Sequence, residues 1–212
     1  MSTGGLPWAC LEHPMRIGVF GGTFDPVHQA HLILAEQARE QAALDQVWFV
    51  PAGRPPHKTH RELTSFAQRA EMLSLALSGN PAFRVDELEK DRAGPSYTAD
   101  TLDELHRRYP EHEWFLLIGG DALRDLPGWY QPDRIVARAT LLVMGRAGSD
   151  IGQIEEWQNK LGKQARVQIL KAPLMEISST DLRQRVGEGR SIRYLVPRAI
   201  EAYIHDKGLY RK

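Results

Sequence analysis

Gly21-Gly22-Thr23-Phe24-Asp25-Pro26-Val27-His28-Gln29-Ala30-His31 follows directly on the short apolar run Arg16 to Phe20 and opens an Ala- and Leu-rich stretch with helical spacing, His31 to Ala43. A strand, a glycine loop and a helix in that order bring a helix N-terminus to the end of a strand. Paired glycines let backbone come close to a ligand, Pro26 stiffens the loop, and a helix starting near His28 to His31 favours an anion through its dipole and its unpaired N–H groups. His28 and His31, three apart, occupy one helix face, so two imidazoles can point at one phosphate. Each residue alone also suits a plainer role, the glycines in a tight turn and the histidines as a cap and a partly buried core residue; together they favour phosphate binding. The G-x-G-x-x-G spacing of dinucleotide loops and the Walker pattern are both absent. Two histidines without a third ligand at a supporting spacing do not make a zinc site, so no protein-held metal is expected.

Outward from this loop the same alternation continues. Gln46 to Pro51 reads as a strand and Ser65 to Leu77 as a helix stopped by Ser78-Gly79-Asn80-Pro81. Phe83 to Leu88 reads as a strand, Thr98 to Arg108 as a helix, and Glu113 to Ile118 and Thr140 to Gly145 as buried strands. Ile151 to Leu161 is expected as helix, Val167 to Leu170 as strand, Ser179 to Val186 as helix, and Pro197 to Lys207 as an apolar-periodic terminal segment. Strands alternating with helices imply an α/β fold, a mostly parallel sheet with helices on both faces and a ligand crevice at the carboxyl ends of the strands. No linker divides the chain, so residues 15–212 are expected as one domain, preceded by a loose extension over residues 1–14.

Bulk properties narrow the partners. Lys plus Arg equals Asp plus Glu at 27 each, so no global field favours nucleic acid or an anionic membrane. A single cysteine, Cys10, excludes an internal disulfide and suits a reducing cytoplasm. No run approaches the roughly 20 apolar residues of a membrane span. Apolar helix faces that would serve a homo-oligomer look like those that serve a core, which leaves oligomeric state open.

Near the other end, Ile177-Ser178-Ser179-Thr180-Asp181-Leu182-Arg183 sets hydroxyls at a helix start with an arginine one turn further in. Alone it reads as a strong N-cap followed by an exposed arginine. Paired with the first loop, however, it resembles the I-S-S-T-x-I-R motif of the adenylyl- and cytidylyltransferase superfamily, whose other signature, H-x-G-H, is similar to His28 to His31 with Ala30 in place of the glycine. The resemblance implies a Rossmann-like doubly wound fold. It also implies that His28, His31 and Arg183 carry the catalysis, and that Gly21, Gly22, Thr23, Phe24, Gly119, Asp121, Ile177, Ser178, Ser179 and Thr180 join them around ATP, which brings Mg²⁺ with it. The extra methyl of Ala30 is expected to reduce tolerance at the helix start without abolishing function.

Four further stretches, Pro55 to Lys58, Ser96 to Thr101, Gly119 to Asp121 and Leu126 to Tyr130, resemble in order and spacing the bacterial nicotinate-nucleotide adenylyltransferases. This implies transfer of an adenylyl group from ATP to nicotinate mononucleotide, giving deamido-NAD and pyrophosphate. Trp129 would stack on the pyridine ring, Thr98 and Tyr130 would hold its carboxylate, Lys58 and Arg146 would meet phosphate, and Asp121, at the end of a buried strand, would accept the ribose hydroxyls. A Trp129 merely packed on the core and a solvated His57-Lys58 loop remain open, as do nicotinamide mononucleotide or another phosphorylated acceptor and a nucleotide-binding regulator without catalysis.

Overall fold

Trp48 and Val50 face one way from the second strand while Val47 and Phe49 face the other, and each pair is buried in a different apolar cluster. Such a strand, covered on both sides, belongs inside a two-faced sheet. The computed structural model describes residues 14–56, 63–145, 156–157, 160–162, 164–173 and 175–211. Its strands are β1 (Arg16–Gly22), β2 (Gln46–Pro51), β3 (Phe83–Val85), β4 (Glu113–Gly119), β5 (Thr140–Gly145) and β6 (Val167–Lys171). All described pairings are parallel and the order is β3-β2-β1-β4-β5-β6. This is the doubly wound arrangement, with its order reversal between β1 and β4.

Helices α1 (Gln29–Gln41) and α2 (Phe66–Leu77) bury Ala35, Ala38, Met72 and Leu73 against one face. Helices α3 (Thr98–Arg108), α4 (Gly120–Asp125) and α5 (Pro132–Arg138) bury Leu102, Leu105, Leu123 and Ile135 against the other. Helices α6 (Ser179–Gly187) and α7 (Arg198–Asp206) return to the first face with Leu182, Ile200 and Ile204. Each such leucine, isoleucine or methionine, fully buried, contributes about 1.5–3 kcal/mol of transfer free energy.

Some expected boundaries move. Gly21 and Gly22 are not loop but the last two residues of β1, paired with Val50 and Pro51. The third strand stops at Val85 instead of Leu88, because the Asp86 carboxylate accepts the Leu88 N–H at 3.1 Å and turns the chain. Helices α4 and α5 are additions, short and separated by the 3₁₀ turn Leu126–Gly128. Of the helix expected over Ile151 to Leu161, only residues 156–157 and 160–161 are described, and these are helical. Residues 1–13, His57, Lys58 and Arg146 lie outside the described residues.

Candidate active site

The crevice forms where sheet pairing stops. β1 and β4 pair only from Arg16 with Glu113 to Val19 with Leu116, whereas β1 stays on β2 as far as Gly22 and β4 stays on β5 as far as Gly119. Phe20–Gly22 and Leu117–Gly119 therefore part from each other at the order reversal. A Cβ added to Gly21, Gly119 or Gly120 would meet nothing within 4 Å, so bare backbone borders open space on both sides.

From β1 the chain runs through buried Phe24 and Asp25 into α1, whose N-cap is His28. Phe24 packs edge-on to Phe20 and His31, at 5.7 and 5.0 Å between ring centroids, which fixes the loop on the aromatic core. The His28 and His31 rings stack at 3.7 Å. His31 Nδ1 accepts the backbone N–H of His28 at 3.2 Å, so a neutral His31 carries its proton on Nε2 as a donor. The Gln29 N–H donates to the Leu195 carbonyl at 3.0 Å. The His31 N–H donates to the His28 carbonyl at 3.0 Å, so three of the N–H groups at the helix start are already engaged and fewer face an anion than the sequence alone implies.

His28 is 5% exposed, and its Nδ1 has no hydrogen-bond partner among the described residues. Burial lowers its pKa from 6.5 to about 4. The sign for stability follows: below 6.5 the unfolded chain binds a proton that folded His28 refuses until about pH 4, so stability falls with pH across that window. The expected loss from this one group reaches about 3 kcal/mol at pH 4. Thermal melts of the unliganded protein from pH 7.5 to 4.5 check this against His28→Gln; parallel curves for the two proteins would refute it.

The two sequence motifs meet directly. Ser179 Oγ donates to the Pro26 carbonyl at 2.9 Å, and Arg183 Nη1 donates to the Asp25 carbonyl. Ser178 caps α6 by accepting the Asp181 N–H at 3.1 Å, as the plainer reading held. Arg183 is not the exposed arginine that the motif suggests when read alone. Its guanidinium is buried, shared between the loop carbonyl and Thr180 Oγ1 at 2.9 Å, with Nε unpartnered among the described residues.

A second arginine escaped the sequence reading. Arg69 of α2 is 2% exposed and donates to the carbonyls of Thr23, Ala52 and Thr64 at 2.8–3.0 Å, tying the ends of β1 and β2 to α2. Burial lowers its pKa, and the nearby Asp25 charge opposes that shift.

Beside the crevice lies a cavity of about 420 Å³ lined by Pro56, Ser96, Tyr97, Thr98, Gly128, Trp129, Tyr130 and Ile135. Thr98, the first residue of α3, and Trp129 thus line one cavity, and Trp129 also packs against the second core cluster. The cavity wall is stitched from two loops. Ser96 Oγ accepts the Arg54 N–H at 3.0 Å, the Ser96 N–H donates to the Arg54 carbonyl at 2.8 Å, and buried Glu89 accepts from Gly53 N–H and Thr101 Oγ1. Gly53 must be glycine, since a Cβ there would stand 2.2 Å from the Glu89 carbonyl oxygen. Tyr130 is 45% exposed and stacks on Tyr97 at 4.3 Å. Asp121 sits in the first turn of α4, two residues beyond the end of β4, with its side chain 89% exposed and ion-paired to Arg124.

A parallel sheet split at its order reversal, with a stacked histidine pair on one lip and a serine-arginine helix docked beneath it, defines a nucleotidyltransferase of the cytidylyltransferase-like family, which residues 19–185 match. The chain is 46% identical over 196 residues to a probable nicotinate-nucleotide adenylyltransferase of Thermomicrobium roseum, covering 92% of each, and 46% identical over 197 residues to one of Thermus thermophilus, covering 93% of this chain and 100% of that one. Its fold matches that of Plasmodium falciparum nicotinic acid mononucleotide adenylyltransferase with a TM-score of 0.75 at 20% identity, over 92% of this chain and 97% of the other. The chain belongs to the nicotinate-nucleotide adenylyltransferase family.

Proposed function

We propose that this enzyme transfers the adenylyl group of ATP to nicotinate mononucleotide, giving deamido-NAD and pyrophosphate in NAD biosynthesis. The observation that carries the reading is the crevice at the β1–β4 split, floored by the histidine loop with α6 docked on it and flanked by the Trp129–Thr98 cavity. A phosphate oxygen of the mononucleotide forms a bond to the α-phosphorus of ATP, and the bond from that phosphorus to the bridging oxygen breaks, its electron pair leaving with pyrophosphate. The acceptor phosphate is already ionised near neutral pH, so the protein aligns the two groups and stabilises developing charge. His31 Nε2–H donates to a phosphate oxygen, and His28 lines the same lip. Arg183 sets the shape of the loop through Asp25 and brings its positive charge close beneath it.

ATP enters as its magnesium complex. The ion is held largely by the ATP phosphates and water, as suits a strongly hydrated cation; among the described residues no group of three or more His, Cys, Asp or Glu is placed to hold a metal. Lys58 and Arg146 follow strand ends in sequence and are assigned to phosphate. Likewise no described helix is long and apolar enough to cross a membrane, and the single cysteine suits a cytoplasmic enzyme.

Nicotinate is favoured over nicotinamide because Thr98 begins an 11-residue helix, whose N-terminus favours a carboxylate over a neutral amide. The competing negative charge in that first turn, Asp100, is paired with Arg134 at 3.1 Å. Steady-state assays with ATP, Mg²⁺ and either mononucleotide test the assignment, with turnover of the nicotinate form expected to exceed that of the amide. Trp129→Ala is expected to raise KM for nicotinate mononucleotide about 10- to 100-fold through lost ring stacking. KM for ATP should stay within a factor of about three in the same variant, and an unchanged mononucleotide KM would remove Trp129 from the site.

A further inference from the structure

We propose that Tyr210, on the C-terminal tail, is a positioning residue for adenylyl transfer, acting through the Asp25 carboxylate to hold the loop that carries His28 and His31. This rests on the reading of that loop as the catalytic one. Tyr210 Oη donates to Asp25 Oδ1 at 2.7 Å across 185 residues of sequence, and Asp25 is 2% exposed.

The tail is built to reach that point. After α7, Gly208 takes a left-handed conformation, its N–H donating to the His205 carbonyl and the Leu209 N–H to the Ile204 carbonyl at 3.0 Å. This glycine-terminated cap reverses the chain, and Leu209 and Tyr210 then pack against the first core cluster. The Tyr210 carbonyl lies against Gly187, where a Cβ would stand 3.3 Å from it, so the tail also rests on the end of α6.

Asp25 is consequently gripped at its backbone carbonyl and its carboxylate by three parts of the chain. Its backbone carbonyl accepts from Arg183 of α6, and its carboxylate accepts from Tyr210 and, at 3.5 Å, from the Thr64 N–H. Only Pro26 and Val27 separate it from His28. A buried carboxylate with fixed donors has little freedom to rotate, so this grip sets the direction in which the chain enters α1 and hence where the two imidazoles stand. Without the phenol, Oδ1 loses a short hydrogen bond, and the loop relaxes to find another donor.

The test compares Tyr210→Phe with Leu209→Ala, each assayed on the full chain well below its own Tm and normalised to the fraction of sites that bind ATP. Tyr210→Phe is expected to lower kcat about 10-fold or more, as misplacement of aligned groups does, with KM for ATP and nicotinate mononucleotide each within a factor of about three. Leu209→Ala loosens the same tail without touching the hydroxyl, so it should lower Tm at least as far while kcat stays within a factor of about two of the wild type. The proposal is overturned if Tyr210→Phe keeps kcat within that same factor, or if kcat falls in both variants in step with lost Tm. A wild-type protein that turns over neither mononucleotide would remove the functional reading itself, and this proposal with it.

Discussion

Replacing His31 with alanine lowers kcat about 100- to 1,000-fold, the loss seen when one preorganised donor to developing negative charge is removed. The geometry makes His31 the more exposed of the stacked pair. Its Nδ1 is committed to the His28 N–H, which fixes the ring and directs the proton to Nε2. By contrast, His28 is nearly buried, and burial holds it neutral through the physiological range. Structural damage in the variant should be modest. One hydrogen bond at the helix N-terminus and the ring contacts with His28, Phe20 and Phe24 are lost, costing about 1–2 kcal/mol and roughly 3–6 °C in Tm for a chain of this size. Pyrophosphate release measured beside a thermal melt separates the two effects. Turnover within five-fold of the wild type in a folded variant would show that the ring only shapes the loop.

How much of this was legible depends on whether a residue's role is local. The strand-loop-helix order around Gly21 to His31 can be read because glycine pairs, a proline and apolar periodicity act over a few neighbours, and the alternation of elements then implies the parallel sheet. The meeting of the two motifs follows only from resemblance, since Ser179 lies 153 residues from Pro26 and nothing in either stretch names the other. Arg183 illustrates the limit. A cation one turn inside a helix start reads by itself as exposed, and only the fold shows it buried with a carbonyl of the loop as its acceptor. Asp121 shows how boundaries slip: it reads as the end of a strand, whereas β4 ends two residues earlier and the residue falls in the first turn of a short helix beside Arg124. Arg69 and Tyr210 carry no signal at all, because a polar residue on an amphipathic helix and an aromatic near a chain end have ordinary solvent-facing or packing explanations.

Arg69→Met should be the most destabilising single change at the site, lowering stability by about 3–5 kcal/mol and Tm by roughly 10 °C. Three carbonyl oxygens, of Thr23, Ala52 and Thr64, lose their donor in a place where the side chain is 2% exposed, and methionine fills the space without replacing any of those bonds. Removing a desolvated charge returns part of the cost. It does not return all of it, because the same change strips buried Asp25 of the nearby cation whose charge it balances. The loss should also reach catalysis. Ala52 continues the β1–β2 ladder through its N–H to the Gly22 carbonyl at 2.8 Å, and Thr23 begins the histidine loop, so Arg69 fixes the register of both strand ends at the mouth of the crevice. Lysine at this position keeps the charge but not the planar fork that serves three acceptors, so Arg69→Lys should fall between wild type and methionine in both Tm and kcat. Denaturation and turnover measured on the three proteins check the order; a methionine variant melting within about 2 °C of the wild type would mean that the carbonyls find other donors and that the loop is held elsewhere.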